Sequence, residues 1–296
     1  MRAGAGEGMS APMKKLWIAL ALFAALVVPA GAAPHRVVSV SLCTDEYVFR
    51  LVPKDRIAAL SILAGDAPPI VSTIAHQVKG IPLIRSNAEE VYAMHPDLVV
   101  MDQGTDPRLH AHLLAAHIPI LEMPNAVSLA DVRRVTAMMG KKLDAEARAS
   151  ALLAKMDEEL DEARERAVHP PVSALIYEPN GYVTDTVIAD EIMDIAGLKD
   201  AAVAMHPSRL GRLPVEAVVA AAPAVLILNN GNEGAPAEAD AILRHPALQS
   251  LKGKSLIAQT SLTALLCPGP WSADVAGEFA GFARRARALA KQSRTN

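Results

Sequence analysis

From Leu143 to Val168 no glycine or proline interrupts a run of Ala, Leu, Lys, Glu and Arg. Such a stretch has few alternatives to one long helix. Asp144 is placed to cap it, and the spacings Lys155 to Glu159 and Glu162 to Arg166 add favourable i,i+4 pairs. Two like-charge spacings, Glu158 to Glu162 and Asp161 to Glu165, are relieved by Arg164 and Arg166. Leu152, Leu153, Met156 and Leu160 make a narrow apolar stripe on an otherwise charged cylinder, which predicts a helix laid over a surface and wetted on most sides. What lies on either side of it decides its role.

On both sides short apolar segments alternate with helical patterns. Before it, strands are predicted at Arg36 to Ser41, Ile57 to Ser61, Leu98 to Met101 and Ile118 to Glu122, and helices at Asp45 to Val52 capped by Thr44, at Ala88 to Met94 capped by Asn87, from Asp106 to His117, and from Ser128 to Met139. No period shows between Ile62 and Gly80. After Pro170 and Pro171, strands are predicted at Val172 to Tyr177, Val225 to Leu228 and Ser255 to Ala258. Helices are predicted at Val187 to Ala196 closed by Gly197, Pro214 to Ala222, Ala237 to Arg244 and Ser272 to Lys291. Strands without polar alternation are buried on both faces, as in parallel sheets. The fold class is therefore α/β: two small lobes with mostly parallel central sheets, joined by the long helix. The boundaries are 33–140 for the first lobe, 141–169 for the helix and 170–296 for the second lobe.

An internal echo supports two lobes of one plan. Glu89-x-Val91-x-x-x-x-Pro96 runs into Leu98-Val99-Val100, and Glu216-x-Val218-x-x-x-x-Pro223 runs into Val225-Leu226-Ile227 with no gap.

Residues 1–32 read as an export signal, with Met9 or Met13 as a possible start. Lys14 and Lys15 precede the apolar run Leu16 to Val28, and Ala30-Gly31-Ala32 supplies small residues for cleavage. The run is short of the ~20 residues that span a bilayer. Losing Arg2, Lys14, Lys15 and Glu7 takes 29 basic and 32 acidic side chains to 26 and 31, a net charge of −5. A mildly acidic exported protein has no electrostatic footprint for nucleic acid. In an oxidising compartment Cys43 and Cys267 form either one disulfide or two buried thiols.

Catalytic signatures are absent: the sequence contains no GxSxG, HExxH, P-loop or GxGxxG. Asp45 and Glu46 diverge as i,i+1 neighbours on a helix and read as favourable charge at its N-terminus. His110, His112 and His117 do not share one helix face at chelating spacing, so no bare metal ion and no cofactor is expected. Ligand binding in α/β folds falls on loops beyond the carboxyl ends of strands. Those loops carry Gln103, Thr105, Tyr182, Asn230 and Trp271, an uncharged polar set with two of the chain's few aromatics, and Arg85 and Arg209 are candidates to face an anionic group.

Taken together, RVVSVS before a helix carrying Glu46, NAEEVYAMHPDLVV at 87–100, the long helix, LPVEAVVAAAPAVLIL at 213–228, HPALQSLKGKSLIA at 245–258 and PGP at 268–270 resemble the periplasmic substrate-binding proteins of ABC importers for iron-siderophores, haem and cobalamin. The resemblance spans the whole mature chain. It implies a non-enzymatic, monomeric periplasmic protein with a ligand cleft between lobes, small lobe rotations about a rigid helix, and delivery to an inner-membrane permease dimer. It implies that Glu89 and Glu216 pair with permease arginines, and that the loops of Cys43 and of Cys267 to Trp271 approach the ligand. A ferric siderophore is the first expectation for that ligand, a corrinoid the second and haem the third. For haem, Tyr182 or His76 are the candidate iron-facing side chains.

Overall fold

The computed structural model describes residues 33–67, 70–208, 211–229 and 238–295. The proposed signal segment, Arg209 and Asn230 lie outside the described residues. Pro34 onward forms one compact unit, built around two parallel sheets. The first contains β1 (Val37–Ser39), β2 (Ile57–Ser61), β3 (Leu83–Ile84), β4 (Leu98–Asp102) and β5 (Ile120–Met123), in the order β3-β2-β1-β4-β5. The second contains β6 (Val172–Tyr177), β7 (Leu198–Asp200), β8 (Val225–Asn229) and β9 (Leu256–Thr260), in the order β7-β6-β8-β9. Every pairing among these strands is parallel.

Each sheet is sandwiched by apolar layers, as the strand composition requires. Along β1 and β4, Val37 and Val100 face one core while Val38, Val99 and Met101 face another. In the second lobe Ala174, Ile176, Val225 and Ile227 point to one side, and Leu175, Tyr177, Leu226 and Leu228 to the other. The helices supplying these layers are α1 (Leu42–Leu51), α2 (Ala88–Ala93), α3 (Pro107–Ala115), α4 (Leu129–Lys142), α5 (Glu146–Arg166), α6 (Val187–Ile195), α7 (Ala202–Met205), α8 (Val215–Ala221), α9 (Pro246–Gln249), α10 (Thr263–Leu266) and α11 (Ala276–Thr295). Among the described residues no helix is long and apolar enough to cross a membrane.

The long helix is α5, and it starts later than the sequence predicts. Leu143 is fully buried at the end of α4, Asp144 takes a left-handed φ of 56°, and Ala145 occupies the N-cap. A helical hairpin thus replaces the expected Asp144 cap. Gly140 makes the turn possible: a Cβ there would stand 2.5 Å from the Cβ of Ala149. Buried positions on α5 are Ala149, Met156, Leu160 and Ala163, with Leu152 and Leu153 half-buried. Ala149 and Leu152 join the first-lobe core, and Leu153, Met156 and Leu160 the second-lobe core. One apolar stripe therefore serves both lobes in succession.

A second tie accompanies it. Cys267 is disulfide-bonded to Cys43 on α1, and Trp271, which follows it, is buried in the first-lobe core, while Ala273 and Val275 join the second. The chain between α10 and α11 thus returns to the first lobe after the second is built. Two short strands, β3 and β7, escape sequence prediction: β3 is two residues after Pro82, and β7 is Leu198-Lys199-Asp200, with two charges in three residues. The segment expected as a helix from Ala237 is a 3-10 turn, Glu238–Arg244. Gly197 closes α6 as expected, with φ 79°, and a Cβ would meet the Val168 backbone nitrogen at 2.6 Å.

Candidate functional site

In each sheet the strand order reverses its direction of growth once, between β1 and β4 in the first and between β6 and β8 in the second. Loops leaving the carboxyl ends at such points diverge and leave a crevice. A cavity of about 380 Å³ opens at the second-lobe switch point, facing the first-lobe segment between β2 and β3. Ile70 and Val71 come from the first lobe; Glu178, Thr184, Thr186 and Asn229, with Leu262, Leu265 and Leu266, come from the second. A larger hollow of about 790 Å³ adjoins it on the second lobe, sharing Glu178 and Thr184 and adding Tyr182, Asp185, His206 and Ser208.

Glu178 follows β6 and joins both hollows. The Thr184 hydroxyl donates to its Oε1, and Asn229 Nδ2 donates to its Oε2 at 3.0 Å. Asn229 ends β8 and accepts from Leu262 N at 3.1 Å through Oδ1. Two strand ends and the β9–α10 loop are thereby fixed around one carboxylate. Next to it Tyr182 is 44 % exposed, with the Arg212 guanidinium 5.2 Å from its ring centroid. Arg212 also donates to Asn180 O through Nε at 2.8 Å and Nη2 at 2.6 Å. Behind Asp185, the carboxylates of Asp185, Asp190 and Asp200 bring oxygens within 4.8 Å of one another. Burial and the neighbouring Asp190 and Asp185 charges push Asp200 up to about 6, and Asp190 is raised by burial and by Asp185.

The apolar first-lobe wall is held by Glu46. Its carboxylate accepts from Ser72 Oγ at 2.8 Å, Thr73 N at 2.7 Å, Thr73 Oγ1 at 2.5 Å and Arg50 Nη1 at 2.5 Å. Arg50 in turn lies 4.2 Å from the Trp271 ring centroid. Asp45, beside it, is fully buried; Ser61 donates N–H at 3.1 Å and O–H at 2.5 Å to its two oxygens. Burial pushes the Asp45 carboxyl up to about 7 against the lowering effect of its hydrogen bonds to Ser39 and Ser61. The sequence assigns Asp45 and Glu46 to the start of a helix. α1 begins at Leu42, so Asp45 does fall in its first turn, but both carboxylates are buried and anchor loops.

The remaining sequence candidates are dispersed. Gln103 and Thr105 are exposed in the turn after β4, at the first-lobe switch point, but line neither hollow. Arg85 is exposed and paired with Glu90 at 3.2 Å, also outside both. His76 is exposed on the loop after Ile70 and lines neither. Cys43 has its sulfur committed to Cys267. Trp271 is corrected most: it is only 4 % exposed, 4.9 Å from Tyr47 in an edge-on contact, with Nε1 donating to Cys267 O at 2.9 Å. It is a core residue, since a ring that follows a disulfide-tethered cysteine is carried into the first lobe. Glu89 and Glu216 occupy equivalent places, each the second residue of its helix, and both are exposed with no ion pair among the described residues. Sequence reasoning reached the loops of Glu178, Thr184 and Asn229 but did not single out Glu178, because a lone carboxylate at a strand end carries no motif.

Residues 38–253 match the family model described as "Periplasmic binding protein". The chain belongs to that family. No curated protein sequence matches this periplasmic binding protein significantly. Among solved structures it is similar to the periplasmic heme-binding protein RhuT from Roseiflexus sp. RS-1 in apo form, with TM-score 0.66 and 22% identity over 85% of this chain and 98% of that one. It is also similar to an ABC-type Fe3+-hydroxamate transport system protein from Saccharomonospora viridis, with TM-score 0.61 and 21% identity over 84% and 93%. A third is the periplasmic vitamin B12 binding protein BtuF of Vibrio cholerae, with TM-score 0.60 and 13% identity over 86% and 98%. At these identities the likeness is one of fold, and this periplasmic binding protein shares the two-lobed architecture across nearly the full length of each.

Proposed function

We propose that this periplasmic binding protein captures a metal chelate between its lobes, a ferric siderophore first and a corrinoid second, and delivers it to the permease dimer of an ABC importer. The observation that carries the reading is the interlobe cavity at the second-lobe switch point, where Ile70 and Val71 of the first lobe face a second-lobe wall that mixes Glu178, Thr184, Thr186 and Asn229 with Leu262, Leu265 and Leu266. A chelate with a greasy periphery and hydrogen-bonding carbonyls suits such walls. The strut α5 and the disulfide-bonded return segment both tie the lobes, which favours small rotations over wide closure. Glu89 and Glu216, exposed on matching helix starts, are the proposed permease contacts, where charge-assisted pairs report how the two lobes sit.

Haem is a second reading, supported by Tyr182: an exposed phenol in a hollow that also holds His206, with a guanidinium on its ring. Calorimetric titration of the mature protein with a ferric trihydroxamate, cobalamin and hemin separates the ligands. For hemin, a Soret shift abolished by Tyr182→Phe is the signature of phenolate ligation. No binding of any of the three overturns the chelate reading.

A further inference from the structure

Resting on that reading of the cleft, we infer that Glu178 selects ligand charge, so that the site takes cationic or neutral chelates and rejects anionic ones. Among the described residues, Glu178 is the one at the junction of the two hollows that is both ionisable and fixed. Its partners, Thr184 and Asn229, are neutral donors that orient the carboxylate without cancelling its charge. Among the described residues lining the two hollows there is no Lys or Arg, while Asp185 adds a second carboxylate with Asp190 and Asp200 behind it. Arg212 is a described cation beside the larger hollow, whose lining includes Tyr182. It stands against the Tyr182 ring with Nε and Nη2 taken by the Asn180 carbonyl, so it offsets part of this field and does not reverse it.

The consequence follows from elementary charge counting. Three hydroxamates on Fe³⁺ give a neutral core, and a pendant ammonium makes the complex a monocation; three catecholates on Fe³⁺ give a trianion. In a partly enclosed cleft, one unit charge about 6 Å from a carboxylate changes affinity by roughly tenfold. Part of that difference disappears with added salt, because exposed charges are screened over about 10 Å at 0.1 M.

The test is calorimetric titration of wild type, Glu178→Gln and Glu158→Gln, the last an exposed strut residue outside the site, with three probes: an ammonium-bearing ferric trihydroxamate, a neutral one and a ferric tricatecholate. Wild type and Glu158→Gln are expected to bind the cation best and the trianion least. Glu178→Gln is expected to lose about tenfold for the cation, to change little for the neutral probe and to gain for the trianion. The wild-type preference itself is expected to narrow between 50 and 500 mM salt, a readout independent of how the variant folds. Equal wild-type affinities for cation and trianion, or a preference that Glu178→Gln leaves intact, overturns charge selection while leaving chelate binding standing. Failure of all three probes to bind removes the chelate reading, and charge selection with it.

Discussion

Replacing both Cys43 and Cys267 by serine deletes a link across 224 positions, from α1 to the segment before α11. A cross-link restricts the unfolded chain by an amount that grows with the logarithm of the loop it closes, and a loop of this size gives about 5 kcal/mol at 25 °C. The native side loses little, because Trp271 remains packed against Tyr47 and Arg50 and the Glu46 network does not involve sulfur. Urea unfolding followed by far-UV circular dichroism reads the effect. With a slope of about 3 kcal/mol/M for a chain of this length, the midpoint falls by roughly 1.5 to 2 M, and reduced wild type matches the double variant. An unchanged midpoint refutes the reasoning. It would mean that α5 alone holds the lobes, and that the return of the Cys267 segment to the first lobe contributes nothing.

Asp45→Asn isolates a pH effect. The folded-state pKa of Asp45 is raised to about 7 from 3.8, so the native state holds the proton more tightly than the unfolded chain, and the stabilisation present below pH 4 is lost as pH rises to 7. The variant is therefore expected to gain on wild type by up to about 4 kcal/mol between pH 4 and pH 8, read as the difference in urea stability. Glu46→Ala leaves the half-buried Arg50 without its carboxylate and releases Ser72 and Thr73; a loss of about 2 to 3 kcal/mol and weaker chelate binding through the Ile70 and Val71 wall are expected in unfolding and calorimetry. Glu89→Lys with Glu216→Lys should leave chelate affinity within twofold of wild type and abolish importer-dependent uptake in cells; retained uptake excludes these residues as the docking contacts. Gly197→Ala places a Cβ against the Val168 backbone at a left-handed φ and should lower Tm by several degrees, measured by differential scanning calorimetry.

Much of this architecture is legible in the sequence because it rests on pattern. The buried strands from Val37, Leu98, Val172 and Val225 are continuous apolar runs, and the paired Glu-x-Val-x-x-x-x-Pro segments set the same helix-to-strand unit in both lobes. What escaped depends on contacts between distant residues. Asp144 looks like a cap, but only the burial of Leu143 and the approach of Ala149 to Gly140 decide where α5 starts. Trp271 reads as a loop aromatic until the Cys267 tether carries it beneath Arg50. Glu46 and Asp45 read only as favourable charge at a helix N-terminus because their partners, Ser61, Ser72 and Thr73, lie 16 to 27 positions away. Glu178 becomes conspicuous only when β6 and β8 bring it beside Asn229.

Trp271 is buried away from the cleft, so its fluorescence is a poor reporter of ligand there, and heat is the better signal. Isothermal titration of the mature protein with a neutral ferric trihydroxamate, and in parallel with cobalamin, tests capture most directly. One-to-one binding of at least one of them, weakened when Glu46→Ala loosens the first-lobe wall, is the expected result. No heat from either, and none from hemin, contradicts the assignment of this cleft to a metal chelate.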